Sequence, residues 1–180
     1  SARSGSRGDP VAVSSREALL DDLKTAFSSN LADAITQTGT GSVGDGYDIT
    51  DPGASVWFLG PLAVDPGESV VFWLEPISET STLTGSGITS GAVPRVSTHD
   101  LHTVRLTVSV AVGDGGLDTG WRKVSRYVEC LKYILSTDAD LAGPRSIQGF
   151  SVDIGFSGDD DLLYYNAILE IQIIDVWTGP

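Results

Sequence analysis

Two histidines, His99 and His102, flank Asp100 in the stretch VSTHDLHTVRLTVSVAVGD at residues 96–114, which also carries Asp114 near its end. Imidazoles beside a carboxylate are the parts of many metal sites and acid–base pairs. Side chains alternate along a strand, so positions three apart point to opposite faces. The residues that follow do alternate: Val104, Leu106, Val108 and Val110 take one parity, Thr103, Arg105, Thr107 and Ser109 the other. His102 shares the apolar parity and is expected at the edge of the core, parted from His99. No Glu or Cys stands beside the pair at a ligand spacing, so no metal is expected there.

The remaining candidates read as structural. Asp45, Asp48 and Asp51 recur every third residue in DGYDITD, whereas an EF-hand loop takes its ligands at every second position. A solvated loop held by Asx turns is the expectation. Asp159, Asp160 and Asp161 suit an exposed hairpin turn. The tripeptide Arg7-Gly8-Asp9, which some adhesion receptors read, is taken as a chance match in a patternless arm. TGSGITSG does not lead from a strand into a helix, so it is no phosphate cradle, and it lacks the spacing of a nucleophile elbow. Cys130, the single cysteine, falls mid-helix with no histidine nearby in sequence and is expected as a packed thiol. Nothing assembles a nucleophile, a base and an orienting group. The expectation is a protein without catalysis or cofactor.

The elements that position these residues follow from periodicity. Residues 1–13 read as a flexible arm. A helix opens at Ser14 with Glu17 as capping partner, and Leu20, Leu23, Phe27, Leu31 and Ala34 form its apolar stripe to about Thr38. A Gly- and Asp-rich connection follows. SVWFLGPLAV and SVVFWLEPI read as two strands separated by the turn DPGE, apolar on both faces and so expected to be covered on both sides by helices or by a neighbouring subunit. Residues 78–98 read as a long loop. The alternating strand comes next. A second helix is expected with Asp118 or Thr119 as N-cap and Trp121, Val124, Val128, Leu131 and Leu135 as buried stripe. Two strands close the chain. Phe150, Val152, Ile154 and Phe156 share a face on the first. Leu163, Tyr165, Leu169, Ile171 and Ile173 share a face on the second. The fold class is α+β: one mixed, mostly antiparallel sheet with two packed helices, in a single domain over 14–177 with a short end at 178–180.

Composition narrows the function. At 180 residues with 41% hydrophobic and 19% charged content, the chain is that of a soluble globular protein. No apolar run is long enough to span a bilayer, and SARSGSRGDP lacks the apolar core of a signal peptide. A start on Ser1 is what removal of an initiator Met leaves. A lone cysteine fits synthesis in a reducing compartment. The net charge of −13 argues against gripping nucleic acid. The charge is also uneven: no Lys or Arg falls between Thr25 and Pro94, where eight acids lie.

The succession of elements resembles the tail terminator (tail completion) proteins of long-tailed bacteriophages. REALLDDLKTAF, SVWFLGP, VFWLEP, HTVRLTVSVAV and LLYYNAILEIQIIDVW carry the resemblance, which covers roughly residues 14–177 and rests on element order and texture. It implies a virion structural protein assembled in the host cytoplasm. Such a protein forms a ring of copies of itself, typically a hexamer, that caps the tail tube and stops its polymerisation. Its other partners would be the tail tube protein and a head–tail connector or head-completion protein. DNA would pass through the lumen without specific binding, which the excess of acid would suit. Trp57, Trp73, Arg122, Lys123, Arg126, Ser86, Gly87 and Ile88 are the candidate ring-interface residues. The Gly/Ser/Thr-rich loop and the Asp-rich 39–53 segment depart from the family's texture. Another neck or tail ring is the nearest alternative. A ferredoxin-like enzyme or ligand-binding domain using His99, Asp100 and His102 is the alternative of a different class.

Overall fold

The computed structural model describes residues 15–60, 69–84, 97–112, 116–137, 145–158 and 163–178. The arm at 1–13, the Arg-Gly-Asp tripeptide, the capping Ser14, the turn at 65–68, Asp114, Asp159 to Asp161 and the end at 179–180 lie outside these residues.

Among the described residues two α-helices and five strands follow in chain order: α1 (Ser15–Thr38), β1 (Trp57–Leu59), β2 (Val70–Thr84), β3 (Ser97–Ala111), α2 (Gly116–Thr137), β4 (Ser146–Gly158) and β5 (Leu163–Thr178), with a short 3-10 turn at Ala54–Val56 before β1. The strands form one sheet in the order β1-β2-β3-β5-β4. Among the described residues only β1–β2 is parallel, and the other pairs are antiparallel. The α+β class with one mixed, mostly antiparallel sheet and two helices is thus what the chain adopts. The two aromatic strands do not form a hairpin, since β1 runs in the same direction as β2.

Both helices pack on the same side. Phe27 of α1 stacks on Trp57, which stacks on Phe72 of β2 at 4.1 Å, and Tyr127 of α2 meets the Phe72 ring edge-on at 5.4 Å. Aromatic contacts of this kind add to the apolar area they remove from water. Leu19, Leu23, Leu31 and Ala34 of α1 are buried, as are Val124, Leu131 and Ile134 of α2. Gly39 ends α1 in the left-handed conformation (φ 70°) that a helix terminus needs and a Cβ resists. In α2, Gly120 lets the helix approach the sheet: a Cβ there would stand 2.8 Å from the Tyr165 ring and 3.0 Å from Val112.

Three expectations need correction. Residues 78–98 are not one long loop. β2 continues to Thr84 and β3 begins at Ser97, in unbroken register from Ser78↔Thr103 to Thr84↔Ser97. Ser, Thr and Glu suggested a loop, but neighbouring strands supply the backbone hydrogen bonds that hold polar residues extended. A register shift between Pro76 and Ser78 marks where β2 passes from its buried half to its exposed half. Trp121 is not in the buried stripe: α2 starts at Gly116, and Gly120 faces the sheet in its place, leaving Trp121 48% exposed. Asp118 accordingly lies in the first turn, where a carboxylate complements the helix dipole, rather than outside it.

The cover expected on both sides of the sheet is also one-sided among the described helices. The far face carries a polar lattice. Arg105 of β3 reaches Glu75 of β2 at 3.2 Å and Glu170 of β5 at 3.1 Å. Ser109 donates to Asn166, whose amide donates to Ser157.

Candidate functional site

The histidine stretch begins β3, and the structure parts its residues as the alternation requires. His99 is exposed, whereas His102 is buried on the helix-facing side. Its Nδ1 lies 3.7 Å from the Glu79 carboxylate, beyond hydrogen-bond length, and its buried Nε2 has no hydrogen-bond partner among the described residues. Glu79 is held by Arg16 at the start of α1, at 3.0 Å and 2.5 Å. Arg145 bridges Asp22 of α1 and Asp175 of β5 at 2.9 and 3.1 Å. These contacts fasten the first two turns of α1 to the sheet. Among the described residues, no three His, Cys, Asp or Glu side chains gather as a metal would need.

The Asp-rich segment after α1 folds as a loop around its own carboxylates. Asp48 accepts hydrogen bonds from the backbone N–H groups of Val43 and Gly44, Asp45 from that of Tyr47, and Asp51 from that of Gly53. The positive charge at this loop is the Arg126 guanidinium, 2.5 Å from Asp45 and 3.2 Å from Asp48. For Asp45, burial acts to raise the pKa, but the Arg126 and Tyr47 hydrogen bonds outweigh it and hold the carboxyl below 3.8. Next to this loop, Arg122 lies over the Tyr47 ring at 4.8 Å and pairs with Asp118 at 2.9 Å. That pair, with the Tyr47 hydroxyl as a further donor, depresses the Asp118 pKa and raises that of Arg122. Tyr127 donates to the Thr50 carbonyl at 2.8 Å, and burial is the main cause that pushes its phenol up to about 12. Cys130 is fully buried, with its Sγ 3.2 Å from the Thr40 hydroxyl.

The candidate interface residues therefore separate. Trp57 is 2% exposed inside the aromatic stack, so this chain already covers it and it leaves the list of surface residues. Its aromatic neighbours in sequence gave no sign of which face the helices would take. Arg126 is committed to the loop, and Arg122 to Asp118 and Tyr47. Lys123 lines a recess with Asp48, Thr50, Ser69 and Tyr127. Trp73 is half-buried on the far face of the sheet, opposite Thr107. Ser86, Gly87 and Ile88 lie outside the described residues.

Sequence reasoning missed an exposed apolar surface. Phe150, Ile154 and Phe156 of β4 are exposed on the helix-facing side of the sheet. Leu117 and Trp121 of α2 are exposed as well. A dimension could have found this surface. Two packed helices, each about 10 Å wide, span about four strands set ~4.8 Å apart. A five-stranded sheet with two helices on one side leaves one strand bare.

No protein-family model matches the chain, and no curated protein matches it either. Among the described residues no helix is long and apolar enough to cross a membrane.

Proposed function

We propose that this chain is a virion structural protein that forms a ring, of six copies in the resemblance, capping a tail tube at the neck. In this reading it stops tube polymerisation, presents a surface to a head-completion or connector protein, and performs no catalysis. The supporting observation is the exposed second half of β2, which forms a border of the sheet past Pro76. β2 is exposed at every position from Pro76 to Leu83, yet it stays in register with β3 to Thr84↔Ser97. An exposed sheet border of this kind, backed by β3 and β5, suits contact with a neighbouring ring. The element order on which the resemblance rests, the net charge of −13 and the acidic loop beside α2 agree with a conduit that lets DNA pass.

The test is genetic and visual. Particles assembled without this chain should carry tails of uncontrolled length and heads left unjoined in electron micrographs. Tails of normal length joined to heads would contradict the reading. A stable monomer that binds zinc through His99 and His102 would favour the ligand-binding alternative instead.

A further inference from the structure

β4 is an edge strand with few of the usual safeguards: a register shift between Ile147 and Gly149 interrupts its start, and nothing of the kind follows from Gly149 on. The strand runs for 13 residues, about 43 Å, and among the described residues pairs only with β5. Exposed edges are commonly blunted by lysine, proline or inward-pointing charge. β4 has no Lys and no Pro, and its single charge, Asp153, falls on the far face opposite Ile168. Its helix-facing side presents Phe150 (40% exposed), Ile154 (44%) and Phe156 (50%).

The occupant must satisfy two demands at once. It must supply a strand edge for the free backbone groups of β4 and neutral side chains for its apolar face. Polyanions and anionic membranes are disfavoured by a chain of net charge −13. The chain itself carries a second open edge. β1 pairs with β2 only at Phe72, Trp73 and Leu74, so among the described residues the outer edge of β2 from Ser78 to Thr84 is unpaired. That stretch is about 23 Å long. On its helix-facing side it carries Leu83, exposed, two alternations on from Glu79. Two different edges at opposite borders of one sheet are what a head-to-tail contact between identical chains requires, and such contacts give rings where the rotation between copies closes and filaments where it does not.

We infer that β4 is the self-association strand of this protein. Its free edge and its Phe150–Ile154–Phe156 face are covered by the outer edge of the exposed half of β2 in a second copy. This rests on the ring reading only for closure; the pairing of β4 with another copy stands independently of what the assembly does.

The experiment uses the full chain, with its mass followed by light scattering over a concentration series. Ile154→Asp should weaken self-association roughly tenfold or more while the circular dichroism spectrum is unchanged. Phe156→Ser should give a smaller loss of the same kind, which guards against misfolding of the first variant. Val43→Asp, at an exposed apolar position in the loop after α1, should leave the mass unchanged. Mixed Asp153→Cys and Thr80→Cys chains, treated with a short bismaleimide, should give inter-chain cross-links. A wild-type chain that stays monomeric, or an Ile154→Asp chain that assembles normally, overturns the inference. Cross-links confined to Asp153→Cys with itself overturn the head-to-tail pairing. Assembly through another face would leave the proposed ring standing, whereas β4-mediated dimers or open filaments would remove the ring and keep β4 as the contact.

Discussion

β3 and β4 carry similar sequence patterns and meet opposite fates. Val104, Leu106, Val108 and Val110 alternate along β3, and Phe150, Val152, Ile154 and Phe156 alternate along β4. The first set is almost wholly inaccessible, whereas three of the second are 40–50% exposed. Both sets face the helical layer, since Val110 and Phe156 both lie opposite Tyr165 of β5. The difference is position in the sheet. α1 and α2 cover the four strands from β1 to β5, and β4 lies beyond them. An alternating pattern reports that a strand has an apolar face; the number of helices available decides whether the chain itself covers it.

The sharpest way to break this comparison is to truncate on each side of the border. Phe72→Ala removes a ring stacked on Trp57 and abutted by Tyr127 and should destabilise the folded monomer by about 3–5 kcal/mol in chemical denaturation. Ile154→Ala should cost less than about 1 kcal/mol in the same assay, because much of the side chain is already in water. Equal losses would mean that β4 is covered within the monomer.

Gly120→Ala probes the helix that stops short of β4. The added methyl meets Tyr165 and Val112 at distances no unstrained contact allows, so α2 must lift or Tyr165 must turn. A loss of roughly 1–3 kcal/mol is expected, accompanied by a changed environment at Phe156, whose ring lies 5.2 Å from that of Tyr165. Stability gained, as a better helix former alone would give, would contradict the close packing.

Arg126→Ala acts on the other flank of α2. It leaves Asp45 and Asp48 without their guanidinium and should cost roughly 1–2 kcal/mol, with heightened amide exchange confined to residues 43–48. The smallest effect is that of acid. The Asp45 and Asp118 carboxyls titrate below their ordinary 3.8 in the folded chain. Their contribution is therefore present above that pH and lost as pH falls through the depressed values. The loop signals in NMR spectra should shift below pH 3.8, before the aromatic core does.

Much of the fold was legible in the sequence because its periods are strong. The stripe of α1, the alternation of β3 and the shared face of β5 each follow from apolar spacing, and the parting of His99 from His102 follows from parity alone. Two features were hidden for physical reasons. Five of the seven residues from Ser78 to Thr84 are Ser or Thr, so little in their sequence distinguishes an exposed loop from a strand held by cross-strand hydrogen bonds. Trp57 and Trp73 have equal hydrophobicity and differ only in which face the helices chose. The pairing of Arg126 with the Asp-rich loop spans 78 residues from Asp48, and no local signal records a contact that distant.

The most direct measurement is imaging of the purified full chain by negative-stain electron microscopy, alongside native mass spectrometry across a range of concentrations. The account predicts closed rings whose mass is a whole-number multiple of 18.9 kDa and which are lost on Ile154→Asp substitution. A chain that remains at 18.9 kDa throughout, with β4 open to solvent, would contradict it.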